Sequence, residues 1–419
     1  MASIIAAPRH DSMDVVRGFA VMGILLLNII AFAMPSAAYF NPRAWGGTDP
    51  VDLSTWAFMQ VLFDGKFRGL FSLMFGASIL LVMERAAMAG ESPRAVHYNR
   101  IFWLLLLGLA HHLLLWWGDI LVLYALCGSV AVVFARKSAG SLTKIAFLFF
   151  GIHILFCGLF ALSMLQMRGL ATAPGATAEN IRRFAETTEG FGTPGSAAIM
   201  EELATYTGGY AGILARSVKS FVGEFVGSTL FNLFDTIGLM LLGMAMLKSG
   251  FLTGSWPIDL YRRTMRHCFL IGFPPMALLV AWIWHGGFDT LDTFLLFILY
   301  GFPFRIPLIV GYAALFTWVA VAHADHPLVL RVRAVGRTAF SNYLGTSIVM
   351  TTIFYGYGLG LFGTVDRAPL YLFVIGAWVL MLLWSKPWLD RFAYGPFEWL
   401  WRTLARRRLQ PMRRTASQY

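Results

Sequence analysis

Residues 100–128, RIFWLLLLGLAHHLLLWWGDILVLYALCG, read as two membrane spans joined by almost nothing. Residues 101–117 are apolar apart from His111 and His112, Gly118 and Asp119 break the run, and residues 120–135 are apolar again. A hydrocarbon core about 30 Å thick takes roughly 20 residues of helix, so a turn at Gly118-Asp119 predicts a tight transmembrane hairpin. Two histidines, two tryptophans and an aspartate sit near one end of it. Ionisable groups inside a span are costly unless they face a protein interior or a wet cavity, so they mark a site by default.

Composition agrees with this reading. The chain has 419 residues, of which 58% are hydrophobic and 13% charged, and its mean hydropathy is +0.66. A soluble domain carries about 25% charged residues. These values predict an all-α, polytopic transmembrane helical bundle embedded in lipid. The net charge of +11 lies between spans and in the tail, which favours the positive-inside rule over nucleic-acid binding. Cys127, Cys157 and Cys268 are scattered, so neither a disulfide framework nor a metal site is expected. Residues 1–12 are short and polar and precede a run long enough to span, unlike a cleavable signal.

About ten spans are expected: 15–36, 67–83, the two arms of the hairpin, 145–166, 227–247, 267–284, an interrupted one within 291–322, 339–362 and 369–385. The interruption carries Gly301, Pro303, Arg305 and Pro307. Residues 1–167 form an N-terminal membrane half, 168–226 a non-cytoplasmic connecting segment, 227–385 a C-terminal membrane half, and 386–419 a basic, partly disordered cytoplasmic tail. Loops 84–100, 136–144, 248–266 and 324–338 are basic and alternate with less basic ones, which puts both termini in the cytoplasm. Asp64, Lys66 and Arg68 then fall at the outer mouth of the second span.

Adjacent His111 and His112 point about 100° apart on a helix. His111 is the candidate general base, with Asp119 to orient it; the alternative is a histidine hydrogen-bonded between helices. Arg17 and Asn28 return to within about 20° of one face, roughly 16 Å apart, and Arg17 either holds an anionic ligand or anchors the interface. Asp14, three residues earlier, is placed to pair with it. Asn28 reads as ligand-lining or as an interhelical hydrogen bond. Gly65, Gly69, Ser72 and Gly76 make a small-residue packing seam beside the Phe67, Phe71, Phe75 stripe. Glu224, Ser228, Asn232 and Asp235 are spaced 4, 4 and 3, one polar stripe descending into the membrane. An unpaired carboxylate at Asp235 would cost at least about 3 kcal/mol, so it is expected to pair, with Arg305 as the partner, in a structural ion pair or a ligand-lining group. The segments 335–347, VGRTAFSNYLGTS, and 395–402, GPFEWLWR, read as helix entry and interfacial anchor.

Five ordered motifs, RGFAVMGILLLN (17–28), GKFRGLFSLMFG (65–76), GLAHHLLLWWGDILVLYALCG (108–128), GRTAFSNYL (336–344) and GPFEWLWR (395–402), resemble the YeiB-like family of bacterial inner-membrane proteins. That family looks similar to the transmembrane acyltransferase superfamily, which includes heparan-glucosaminide acetyltransferase and bacterial surface-glycan acyltransferases. The resemblance implies a roughly ten-helix bundle moving an acyl group from cytoplasmic acyl-CoA, acetyl-CoA for instance, to a small-molecule or glycan acceptor beyond the membrane. It makes residues 17–28 the first helix of that bundle and His111 the catalytic base. Heparan enzymes place a histidine before their second core helix, whereas VLFDGKFRGLF here has none. The expected function is therefore acyl transfer, with His111 and Asp119 catalytic, Arg17 and Asn28 at the acyl-CoA, and Asp64, Lys66, Arg68, Asp235 and Arg305 at the substrate. The alternative is a transporter or flippase of a small anionic or amphiphilic solute, lined by the stripe ending at Asp235 and the broken helix around Arg305. Membrane lipids are the expected partners, and a homodimer is compatible with the sequence.

Overall fold

The computed structural model describes residues 10–413, and among them every regular element is a helix. The N-terminal half holds α1 (Asp11–Ala33), α2 (Ala37–Phe40), α3 (Pro50–Leu62), α4 (Lys66–Met88), α5 (Pro93–Leu114), α6 (Leu121–Ala131) and α7 (Ala139–Thr172). Next come α8 (Ala178–Glu189), α9 (Ala197–Tyr206), the long α10 (Tyr210–Lys248), α11 (Ile258–His285), α12 (Thr290–Leu295) and α13 (Phe302–Ala322). The chain closes with α14 (Pro327–Arg337), α15 (Ala339–Phe354), α16 (Leu370–Arg391) and α17 (Pro396–Arg406).

Seven helical stretches among the described residues are long and apolar enough to cross a membrane: α1, residues 50–88, α7, α10, α11, α13 and α16. This is a membrane protein. The hairpin is shorter than the sequence predicts, because α5 stops at Leu114 and α6 with its following 3₁₀ turn ends at Phe134. Helix α10 runs unbroken from Tyr210 through residue 227, where the sequence predicts the span to begin. Expected termini at residues 1–9 and 414–419 lie outside the described residues. The rest of the tail is ordered: α17 follows α16, and Trp401 Nε1 donates to the Arg100 carbonyl at 2.9 Å.

The basic connections gather at one end, as their alternation in the sequence predicts. Ser12 reaches the Leu252 carbonyl (2.7 Å), Lys248 the Ala135 and Lys137 carbonyls (2.8 and 2.7 Å), and Arg333 pairs with Asp11 (2.6 Å). The less basic connections meet at the opposite end. There Glu202 accepts from the Ser36 backbone N–H and hydroxyl (3.0 and 2.9 Å), and the buried Arg367 donates to the Ala38 carbonyl (2.8 Å).

Small residues let the central helices cross in contact. A Cβ on Gly243 would lie 1.9 Å from the Leu73 carbonyl oxygen, and one on Gly76 would lie 2.0 Å from that of Met240. The small-residue seam of α4 is thus a packing surface, with Gly76 against the α10 backbone and Gly65 and Gly69 against Arg305 and Ile309 of α13. Phe71 and Phe75 pack on the other side, against Tyr124.

Candidate functional site

The hairpin brings His111 from the end of α5 back beside Asp119 in its turn. The His111 Nδ1 to Asp119 Oδ1 distance is 2.7 Å, and both side chains are buried. The second carboxylate oxygen accepts from the Val122 N–H at 2.9 Å, so Asp119 also caps the start of α6. On the other ring edge, His111 Nε2 lies 2.9 Å from Ser347 Oγ of α15. An ionised carboxylate only accepts, so in the neutral imidazole Nδ1 carries the hydrogen and Nε2 is left to accept from the hydroxyl. Ser347 Oγ also sits 3.3 Å from the Tyr343 carbonyl of its own helix. The result is a carboxylate, imidazole and hydroxyl in line, the arrangement that raises the nucleophilicity of a hydroxyl.

Aromatic rings wall this line. Tyr343 packs against His111 at 5.3 Å between ring centres, and its hydroxyl accepts from the Ile120 N–H. Trp116 lies edge-on to His111 at 6.2 Å, stacks on Phe32, and has a buried indole N–H with no acceptor. His112 turns away, packing on Phe221 with its Nε2 4.0 Å from Glu224.

The charged residues of the second expected span do not lie at its outer mouth. Residues 50–88 break at Asp64-Gly65, and Gly65 adopts φ +67°, a left-handed conformation that glycine tolerates without strain. Phe67 packs where a Cβ on Gly23 would lie, near the middle of α1. Asp64, Lys66 and Arg68 therefore sit deep in the bundle, with Asp64 and Lys66 buried. Asp235 pairs with Arg68 at 2.5 Å, while Arg305 pairs with Asp64 at 3.2 Å. The expected Asp235–Arg305 pair is thus replaced by two others, because α4 packs between α10 and α13 and supplies a partner to each. The polar stripe of α10 does not line one pathway, since Ser228 is exposed and Asn232 bonds back to its carbonyl.

At the basic end, Arg17 pairs with Asp14 at 3.0 Å and donates to Ser78 Oγ at 3.1 Å, while Asn28 is half-buried further along α1. A cavity of about 900 Å³ opens there between the start of α5 and the chain after α17, lined by Asn99, Arg406, Arg407, Arg408 and Gln410.

Comparison with known proteins decides the family. The chain is 35% identical to the uncharacterised protein YeiB of Escherichia coli over 96% of this chain and 98% of that one. It belongs to the YeiB family. The uncharacterised protein YxaH of Bacillus subtilis is 30% identical over 96% of both chains, and a 39.9 kDa protein from the amylase 3' region of Bacillus acidopullulyticus is 24% identical over 96% of both. Residues 246–408 match the family model described as a protein of unknown function, DUF418. No solved structure matches.

Two features of this YeiB-family chain escape a reading of its sequence. Ser347 is one: a serine in an apolar helix ordinarily bonds its own backbone, and its histidine partner is 236 residues away. The other is the joint between two motifs that read separately as helix entry and anchor. Glu398 of α17 accepts from the Phe340 and Ser341 N–H groups (2.7 and 3.1 Å) and from the Ser341 hydroxyl. It caps the start of α15, the helix that carries Ser347. A glutamate three residues after Gly395 and a polar helix start at Ser341 are the only sequence hints.

Proposed function

We propose that this chain is an acyltransferase of the bacterial inner membrane that takes an acyl group from acyl-CoA at its basic end. The observation that carries the reading is His111 bridging Asp119 and Ser347. Ser347 Oγ attacks the thioester carbonyl while His111 Nε2 takes its proton; the carbon–sulfur bond breaks and the thiolate leaves with that proton. An acceptor hydroxyl or amine then loses its proton to His111 and attacks the acyl-serine, and the proton returns to Ser347 Oγ. Asp119 holds the imidazole in the required tautomer and favours its protonated form in each transition state. The unpartnered Trp116 N–H is the available donor to the oxyanion.

Depth supports this assignment. Ser347 lies eight residues past Ala339, about 12 Å along α15, and Glu398 fixes that helix start at the basic end. A carrier arm entering from the arginine-lined side has that distance to cover. CoA release from acetyl-CoA by the detergent-purified protein tests the reading. His111→Ala and Ser347→Ala are each expected to lower it by about 10²–10⁴-fold; full activity in His111→Ala rejects it.

Transport of a small anionic or amphiphilic solute is a second reading, favoured by helices that break deep in the bundle, at Asp64-Gly65 and at Gly301. Proteoliposome uptake in the absence of acyl-CoA tests it; no uptake across a broad anion panel rejects it.

A further inference from the structure

Two helices of this protein start in the middle of the bundle, and their N-termini meet. Helix α4 begins at Lys66 after the left-handed Gly65, and α13 begins at Phe302 after a turn of π-helix at Leu296–Tyr300. A Cβ on Gly69 would touch Ile309, so the first turns of the two helices lie against each other. The start of α4 leaves the Phe67 and Arg68 N–H groups without a partner in their own helix and presents the positive end of the helix dipole, whereas α13 continues directly from the π-helical turn. This positive end lies beside the buried Asp64 and Lys66 side chains.

The side chains add to this field instead of cancelling it. Lys66, Arg68 and Arg305 face two carboxylates, Asp64 and Asp235. Arg68 is satisfied by Asp235 and by Thr236 Oγ1 at 3.1 Å. Arg305 spends one nitrogen on Asp64 and on the Phe297 carbonyl at 2.9 Å, but its buried Nε has no acceptor. That Nε lies against the N-cap of α4, 2.5 Å from where a Cβ on Gly65 would be. Lys66 is fully buried, and its Nζ bonds only the Gln60 carbonyl at 2.7 Å. An ammonium has three donors, so two of them point at no acceptor. Excess positive charge, unfilled cationic donors and an open helix start therefore coincide at one place.

We propose that the junction of α3–α4 with the break before α13 is a binding site for a small soluble oxyanion, a carboxylate or phosphate. One oxygen accepts from Lys66 Nζ and another from Arg305 Nε, with the Phe67 and Arg68 N–H groups of α4 completing the cradle. The anion balances the third cation, which a buried site otherwise leaves uncompensated. The inference stands apart from acyl transfer, because none of these groups belongs to the His111 line.

Equilibrium dialysis of the purified full-length protein against radiolabelled acetate, and separately against radiolabelled inorganic phosphate, tests it. Saturable binding of one or both is expected, weakened about tenfold or more in Lys66→Gln and kept within a few-fold in Lys66→Arg. His111→Ala, which stops acyl transfer on the reading above, is expected to bind as wild type does. Lys66→Gln leaves the Asp64–Arg305 pair in place, and a wild-type melting temperature in that variant separates lost binding from lost fold. The proposal is overturned by no saturable binding of either anion, by binding of short-chain phosphatidylglycerol alone, or by binding unchanged in Lys66→Gln.

Discussion

His111 sits between two partners that do different work, and single substitutions separate them. Asp119→Asn keeps the side-chain shape but presents an amide, so the imidazole loses both its tautomer and its counter-charge; CoA release is expected to fall by about 10²–10⁴-fold with little change in melting temperature. A loss of fold instead would make Asp119 chiefly the cap of α6. The Arg68–Asp235 pair is structural in this account. Asp235→Asn strands a guanidinium whose partner is buried, at a cost of about 3–5 kcal/mol, read as a lower unfolding midpoint in detergent. Replacing both members, as Arg68→Met with Asp235→Leu, is expected to recover much of that loss; no recovery would mean that the pair serves something beyond its own neutralisation.

Helix α15 carries the serine but is positioned by Glu398 of α17. Burial raises the Glu398 carboxyl above its ordinary pKa, and bonds from Ser341 and Phe340 offset only part of that. With the folded value above the unfolded one, the folded state holds the proton longer, so this group's contribution is greatest at low pH and declines as pH rises through the raised value. Glu398→Gln has no such titration. The melting temperature of the variant relative to wild type is therefore expected to climb with pH over that window, and a constant offset would contradict it. The same helix shows where the sequence runs out. His111 and Asp119 stand out because an apolar run exposes any ionisable residue, and they are close in the chain. Ser347 is invisible because its partner arrives only through packing. The break at Asp64 is misplaced for a related reason: charges ordinarily mark the ends of spans, and the partners that keep these buried, Asp235 and Arg305, come from α10 and α13.

At the scale of the whole molecule, alternating loop charge predicts the grouping of basic connections that the fold displays. Helix count is less legible, because α5, α6, α12 and α15 are too short or too polar to qualify alone. The bundle then presents three polar places: an arginine-lined basic end, the junction of broken helices, and the His111 line two turns into α15. The proposed acyl transfer would use the first and the last. The most direct test is peptide mass spectrometry after the purified protein meets acetyl-CoA with no acceptor present. The account predicts an acetyl group on the peptide bearing Ser347, absent in His111→Ala and discharged when an acceptor is added. CoA release without any acetyl group on Ser347 would contradict it.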